Sequence, residues 1–200
     1  MLIWINGPFG GGKTHTACEL RRRLPGSVVS DPEQLGMGLH RMLPPHARDD
    51  FQEYAAWRHG VREMLDVALR RHRHGPVIVP MTVVDPVCFA DTVGRLRADG
   101  HDVRHVALLA ERETVHRRLR GRGLAGLRDE GWARERVDRC LEALARPEFA
   151  EHVVTDGRSV REVAEAVAES AGLGLAPSGD GRVRRGLRRA RVTLRHVRLG

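Results

Sequence analysis

The residues best suited to chemistry stand near the start of the chain, where Gly7, Gly12, Lys13 and Thr14 fit the spacing G-x-x-x-x-G-K-[ST]. Glycines let successive backbone N–H groups turn inward around a phosphate, because no side chain stands in the way. The lysine of such a loop reaches the β- and γ-phosphates of a nucleotide, and the threonine hydroxyl is a ligand for Mg²⁺. We therefore predict an ATP site with Mg²⁺ on Thr14, formed by Gly7, Gly10, Gly11, Gly12, Lys13, Thr14 and His15.

Two observations favour this phosphate loop over the alternative, an ordinary glycine turn. An apolar run at 2–5 precedes the loop and a helical pattern follows it, so the positive end of a helix dipole would face the same anion. Lys13 is also the only lysine among the 34 basic residues. A chain that uses arginine everywhere else keeps a compact ammonium at the one position where it suits a phosphate.

Length and composition indicate a single domain in a reducing compartment. Two hundred residues suffice for one core, and three scattered cysteines argue against a disulfide framework. No apolar run approaches the eighteen residues of a membrane span, and no signal peptide fits ahead of the loop. We therefore expect a cytoplasmic protein.

Five short apolar runs, at 2–5, 27–30, 76–80, 105–109 and 152–155, alternate with helical patterns. This alternation predicts a parallel α/β sheet with right-handed crossovers, here a P-loop domain over 1–171. Ligands of such sheets bind at the carboxyl ends of the strands, so the residues that follow each strand are the candidates for chemistry.

Acidic residues follow the second and third strands. Asp31 comes directly after strand two, where it could cap a helix, take a proton from an acceptor hydroxyl, or do both. Strand three ends without the aspartate that usually follows it in nucleotide-hydrolysing P-loop proteins. The nearest acid, Asp85, precedes Pro86, and this order favours a helix cap.

A long helical insert, about 36–75, separates strands two and three and is the predicted acceptor site. Arg58 falls within an apolar helical stripe, so it needs either a substrate anion or a buried acid such as Asp49 or Asp50. Tyr54 and Trp57 could stack on a ring of the acceptor or belong to the core. We retain Arg58, Trp57 and Tyr54 as candidate acceptor residues.

A predicted lid, about 117–132, follows strand four and carries several arginines. Arg118 and Arg122 are its candidates for neutralising charge on a transferred phosphoryl group, although a solvated arginine face is the alternative. The turn after strand five, with Thr155 and Asp156, could lie along the adenine ring.

The last thirty residues differ in composition from the rest. Residues 172–181 resemble a flexible linker. Eight arginines and no acid lie in 181–200, so the first 180 residues carry no net charge although the whole chain carries +8. Apolar residues recur on one helical face of the tail, 182–200, which could bind an anionic membrane, its own domain or nucleic acid. Nucleic acid is the least favoured partner, because the globular part is neutral.

Taken together, these blocks resemble the bacterial tunicamycin-resistance proteins. The similar segments span nearly the whole chain and include 3–14, 31–36, 49–52, 77–84, 117–122, 138–140 and 194–200. The resemblance implies a nucleoside-kinase-like α/β/α fold with a five-stranded parallel sheet in the order 2-3-1-4-5. It also implies resistance to tunicamycin, a uridine-containing nucleoside with a fatty-acyl chain, and peripheral membrane association through a basic C-terminal helix.

Three functions remain open on the sequence alone. The first is transfer of phosphate from Mg·ATP to tunicamycin or a similar nucleoside, with Lys13 and Thr14 on the phosphates, Asp31 as base, and Arg118 and Arg122 on the phosphoryl group. The second is ATP-dependent sequestration of the antibiotic at the membrane without catalysis. The third is a kinase for an ordinary small metabolite or nucleoside.

Overall fold

The protein contains one parallel sheet. A computed structural model describes residues 1–120 and 130–177, with side chains described up to 120 and from 135. The strands are β1 (Leu2–Asn6), β2 (Val28–Val29), β3 (Val77–Pro80), β4 (Val103–Leu109) and β5 (His152–Val154). They lie in the order β2-β3-β1-β4-β5, and every pairing is parallel. The predicted fold class and strand order are confirmed.

Helices connect the strands. They are α1 (Lys13–Arg23), α2 (Glu33–Met42), α3 (Ala55–Arg71), α4 (Pro86–Phe89), α5 (Arg95–Ala98), α6 (Arg112–Arg120), α7 (Glu130–Leu144) and α8 (Val160–Ser170). A π-helical turn, Ala90–Gly94, joins α4 to α5, and short 3₁₀ turns occupy Pro45–Ala47, Phe51–Glu53 and Pro147–Phe149. The predicted insert is therefore α2, two 3₁₀ turns and α3.

Alternation along β1 builds a core on each face of the sheet. Leu2 and Trp4 pack with α3 and the α4–α5 segment, whereas Ile3 and Ile5 pack with α1 and α8. All five residues of β1 are buried because helices cover both faces, as is usual for a parallel sheet. The central strand thus holds the loop that follows it in a rigid frame.

The described part of the predicted linker does not behave as a free spacer. Leu173 and Leu175 pack against the α1–α8 core. The backbone of Ala176 bonds twice to Arg23, donating to its carbonyl (2.9 Å) and accepting from its Nε (2.8 Å). Residues 172–176 are therefore part of the domain, and the predicted tail, 182–200, lies outside the described residues.

Two other sequence expectations concern compartment and membrane contact. Cys18, Cys88 and Cys140 form no disulfide bond. Within the described ranges, no helix is both long enough and apolar enough to cross a lipid bilayer.

Candidate functional site

The loop between β1 and α1 has the backbone shape of an anion cradle. Gly10 and Gly12 adopt left-handed conformations, with φ of 77° and 97°, which residues with a Cβ rarely adopt. Gly12 precedes α1 without any side-chain cap, so the first N–H groups of the helix are not covered by a capping side chain. A Cβ at Gly12 would meet nothing within 4 Å. The open space at a helix N-terminus fits a phosphate group.

Lys13 is held within this loop. Its side chain is 9% exposed, and Nζ donates to the carbonyls of Gly7 (2.9 Å) and Pro8 (3.2 Å). Nζ also lies 5.7 Å from the centre of the Phe9 ring. The two carbonyls are neutral acceptors that a lysine can exchange for phosphate oxygens. Thr14 and His15 follow in the first turn of α1, and both are half-buried.

Asn6, the last residue of β1, connects the loop to β3. Its Oδ1 accepts from the N–H groups of Gly7 (2.9 Å) and Val83 (3.0 Å), and its Nδ2 donates to the Val83 carbonyl (2.7 Å). Thr82 donates its hydroxyl to the Gly7 carbonyl at 2.7 Å. Sequence reasoning missed both residues, although an amide buried at the entrance of a glycine loop is a signal that could have indicated Asn6.

His105 of β4 completes this support. Its Nε2 lies 3.2 Å from Asn6 Nδ2 and its Nδ1 lies 3.3 Å from the Ala150 carbonyl, an arrangement that fits the tautomer protonated at Nδ1. The ring packs between Phe89 and Phe149. Burial lowers the pKa of His105 to about 4, so the imidazole is neutral near pH 7 and can accept from Asn6.

The two acids after β2 and β3 have different surroundings. Asp31 Oδ1 accepts from the Glu33 N–H at 3.1 Å, so the carboxylate supports the start of α2. Asp85 Oδ1 accepts from the Cys88 N–H at 2.7 Å and caps α4, in agreement with its interpretation as a helix cap. Because β2 and β1 are parallel members of one sheet, Asp31 stands at the same edge as the phosphate loop.

The described residues of the predicted lid, about 117–132, are the end of α6 and the first residues of α7. Helix α6 lies on the phosphate loop. A Cβ on Gly10 would stand 2.9 Å from Leu119 Cγ and 3.3 Å from Val115 Cγ1. Only glycine therefore permits this approach without a shift of the helix. Arg122 lies outside the described residues.

Arg118 bonds to the turn after β5. Nη1 and Nη2 donate to the hydroxyl and the carbonyl of Thr155, both at 2.9 Å. In this conformation both terminal nitrogens of the Arg118 guanidinium bond to Thr155. The contact of Arg118 with a phosphoryl group stays a prediction. Asp156 Oδ2 accepts from the Glu111 N–H at 2.8 Å. Burial opposes ionisation of Asp156, but its polar neighbours, including that amide and the Arg118 charge, hold its pKa below the ordinary value.

The insert differs most from its predicted role. Trp57 is completely buried and donates its indole N–H to the Pro32 carbonyl at 3.1 Å, so it anchors the exit of β2 and lines no open surface. Tyr54 donates its hydroxyl to the Ala47 carbonyl and accepts from the Asp49 N–H. Both aromatic residues belong to the packing of the insert, because a helical stripe alone cannot show which face the sheet covers.

Arg58 has an acidic partner, but not one of those predicted. Its Nε lies 3.2 Å from Asp91 Oδ2, and Nη1 donates to the carbonyls of Gln52 and Glu53. Asp50 instead pairs with Arg136 of α7 at 2.5 Å. The expected partners Asp49 and Asp50 were neighbours along the chain, whereas the actual partner lies on the π-helical turn beside α3. The Asp50–Arg136 pair ties the insert to the helix that follows the lid.

Comparisons with known proteins agree with this geometry. The family model described as AAA domain matches residues 2–147. The tunicamycin resistance protein of Deinococcus radiodurans is 35% identical, with a TM-score of 0.74, over 89% of this chain and 100% of that one. The probable adenylyl-sulfate kinase of Archaeoglobus fulgidus is 35% identical over 85 residues, 42% of this chain. That match spans 52% of the kinase, about half of its length.

More distant structures share the fold. The APS kinase of Mycobacterium tuberculosis, solved with AMPPNP and APS, is 20% identical with a TM-score of 0.57, over 86% of this chain and 96% of that one. Shikimate kinase of Acinetobacter baumannii is 17% identical with a TM-score of 0.54, over 84% and 90% of the two chains. At these identities the similarity concerns the fold alone.

Proposed function

The chain belongs to the AAA-domain family and to the family of the tunicamycin resistance protein, and on that premise we propose that it transfers the γ-phosphoryl group of Mg·ATP to a nucleoside of the tunicamycin type. It is an ATP-binding P-loop protein with a kinase-like fold. The acceptor and the transfer step are the proposed part. We propose tunicamycin as the acceptor because the relative from Deinococcus radiodurans is a tunicamycin resistance protein.

One observation carries the proposal: the phosphate loop with Lys13 and the carboxylate of Asp31 occupy the same edge of the sheet. β3 lies between β1 and β2, so their axes are about 10 Å apart at the usual strand spacing. A γ-phosphate at the loop and an acceptor hydroxyl near Asp31 would therefore stand at the carboxyl ends of strands only two positions apart in the sheet. A carboxylate and a phosphate cradle at the same end of the sheet suit phosphoryl transfer.

In the proposed mechanism Lys13 exchanges its carbonyl partners for oxygens of the β- and γ-phosphates. Mg²⁺, held through Thr14, neutralises charge on those phosphates when it is bound. Asp31 orients the acceptor hydroxyl and accepts its proton as the oxygen attacks the γ-phosphorus. The bond from that phosphorus to the bridging oxygen breaks, ADP leaves, and the phosphoryl group remains on the acceptor.

Arg118 takes a different role in this mechanism from the one its sequence position suggests. Its two bonds to Thr155 join α6, which covers Gly10, to the turn that carries Asp156. We assign that turn to the base of the nucleotide. Nucleotide binding and lid position are then linked through one guanidinium, and Arg122 remains our candidate for contact with the phosphoryl group.

A second candidate function is ATP-dependent sequestration of the antibiotic without transfer. In its favour, both acidic residues already accept hydrogen bonds from the backbone. Asp85 caps α4, and Asp31 accepts a backbone N–H of α2. A carboxylate engaged in capping is less available as a base, although a carboxylate has further lone pairs. For either function we propose that the tail, 182–200, holds the protein on anionic membranes.

The test is transfer of labelled γ-phosphate from Mg·ATP to tunicamycin by the wild type, Asp31→Asn and Asp85→Asn. Asparagine keeps a capping oxygen but cannot take a proton, and Asp85→Asn makes the same change at the carboxylate that caps α4. We expect label on tunicamycin with the wild type and Asp85→Asn and about a hundredfold less with Asp31→Asn.

Absence of label in the wild type together with ATP-dependent tunicamycin binding would replace transfer by sequestration. Equal transfer by Asp31→Asn and the wild type would remove Asp31 from the mechanism. Label on a simple nucleoside or sugar but never on tunicamycin would indicate an ordinary metabolite kinase.

A further inference from the structure

The segment after β3 contacts the phosphate loop in an unusual way. In many P-loop proteins an aspartate in this region helps to hold the metal ion. Here the residues are Met81, Thr82 and Val83, none of which is acidic. The hydroxyl of Thr82 donates to the Gly7 carbonyl at 2.7 Å. The segment after β3 therefore presents a hydrogen-bond donor to the phosphate loop.

The Gly7 carbonyl has two donors in this conformation. Lys13 Nζ reaches it at 2.9 Å and Thr82 Oγ1 at 2.7 Å, which together use both lone pairs of the oxygen. Gly7 is buried, so water cannot replace a donor that leaves. A buried carbonyl of this kind needs at least one permanent partner.

Thr82 is rigidly placed for that purpose. Asn6 bonds to both the N–H and the carbonyl of Val83, and the indole of Trp4 donates to the Met81 carbonyl at 3.2 Å. The Met81 N–H in turn donates to Ile5 at 3.1 Å. The residues on either side of Thr82 are thus fixed to β1, the strand that leads into the phosphate loop.

We propose that Thr82 is a positioning residue that holds the Gly7 carbonyl when Lys13 transfers its hydrogen bonds to the phosphates. This inference rests on the ATP site of the proposed function and does not depend on the acceptor. Without nucleotide, Lys13 and Thr82 share the carbonyl. When nucleotide is bound, Thr82 is the donor that remains on the Gly7 carbonyl. The loop therefore keeps its conformation after Lys13 has moved its hydrogen bonds to the phosphates.

Loss of the Thr82 hydroxyl should lower the affinity for ATP but change the stability of the free protein little. In Thr82→Val, Lys13 still satisfies the Gly7 carbonyl of the free protein, so stability changes little. When ATP draws Lys13 away, the carbonyl has no donor, and we expect ATP to bind about tenfold more weakly. Adenosine has no phosphate to draw Lys13 away, so its affinity is expected to be unchanged.

Two further variants at this position sharpen the test. Thr82→Ser keeps the donor and should restore most of the ATP affinity. Thr82→Asp places a second acceptor against the Gly7 carbonyl, so it should weaken ATP binding more than valine does. If the position instead served as a degenerate metal site, the aspartate would strengthen Mg²⁺-dependent binding of ATP.

Thr92→Val is the matched control, because Thr92 is a buried threonine whose hydroxyl donates to the Cys88 carbonyl at 2.7 Å, away from the phosphate loop. The experiment is calorimetric titration of the full chain and its variants with ATP and adenosine, with and without Mg²⁺, alongside thermal unfolding of the free proteins. Thr92→Val should keep the ATP affinity of the wild type.

Equal ATP affinity of Thr82→Val and the wild type would overturn the inference, as would equal losses for ATP and adenosine, which indicate a general distortion. Tighter Mg²⁺-dependent binding by Thr82→Asp would also overturn it. If the wild type bound no ATP, the ATP site itself would fail, a result distinct from a failure of Thr82.

Discussion

Leu119 lies so close to Gly10 that a Cβ on the glycine would stand 2.9 Å from Leu119 Cγ. The contact joins helix α6 to the tip of the phosphate loop. Two features therefore require glycine at position 10. Its backbone is left-handed, and Leu119 leaves no space for a Cβ. Helix α6 therefore packs directly on the phosphate loop.

Gly10→Ala should weaken ATP binding and destabilise the fold, because the methyl group meets Leu119 and the backbone is strained by about 1–2 kcal/mol. Adding Leu119→Ala should recover the steric part but not the backbone part. A double-mutant cycle of urea unfolding and ATP affinity measures the coupling. Strict additivity of the two substitutions would contradict a direct contact.

Lys13→Ala should abolish ATP binding while leaving the secondary structure intact, since the lysine Nζ donates to carbonyls of the phosphate loop itself, those of Gly7 and Pro8. Lys13→Arg should also bind poorly, because a planar guanidinium does not replace a compact ammonium between two carbonyls. Calorimetric titration with ATP, with circular dichroism as the folding control, checks both. Undiminished binding by Lys13→Ala would refute the phosphate-loop assignment.

Arg118→Lys should loosen the link between α6 and the Thr155 turn, because a lysine cannot donate simultaneously along both arms of the guanidinium fork. We expect about a tenfold loss of ATP affinity. Arg117→Lys is the matched control, since the neighbouring Arg117 is exposed and bonds within its own helix to Thr114. Equal effects of the two substitutions would argue against a special role for Arg118.

Stability should fall on acidification because of His105. Its pKa is about 4 in the folded protein and about 6.5 when unfolded, so the unfolded chain binds more protons between these values. The free energy of unfolding should decrease as the pH falls from about 6.5 to about 4, by at most about 3 kcal/mol. Urea unfolding across this range measures the slope.

His105→Gln is the comparison for that measurement, because glutamine keeps an oxygen that can accept from Asn6 but does not titrate. Its unfolding free energy should vary less with pH in the same interval. A slope identical to that of the wild type would assign the acid sensitivity to other groups.

Removal of residues 179–200 should leave a domain with almost no net charge that no longer sediments with vesicles containing anionic lipid. Each arginine near such a surface contributes about 1 kcal/mol, and eight of them lie in the removed segment. Sedimentation of the full chain should decrease as salt rises. Equal sedimentation of the two proteins would exclude the tail as the anchor.

The sequence was sufficient for the fold because its signals are local. Each apolar run and the glycine loop lie within a few residues of sequence, and the structure contains a strand at each run and the loop before α1. β4 begins two residues earlier than predicted, at Val103, since the exposed Arg104 interrupts the apolar pattern without interrupting the strand pairing.

The supporting contacts of the site could not be predicted because they join distant parts of the chain. Asn6 contacts Val83 and His105, and Arg58 pairs with Asp91 instead of the nearer Asp49 or Asp50. The partner of a buried polar group depends on which helix faces pack together. Residue types reveal the need for a partner but not its identity.

The pairing of Arg23 with Ala176 also determines how the protein would face a surface. Helix α1 starts at the phosphate loop and runs for eleven residues, about 16 Å, to Arg23 at the opposite edge of the sheet. The chain therefore leaves the described domain on the side away from the nucleotide. A domain tethered to a bilayer from that side would present its phosphate loop to the bulk solution, so a lipid-linked substrate would have to rise out of the leaflet to be reached.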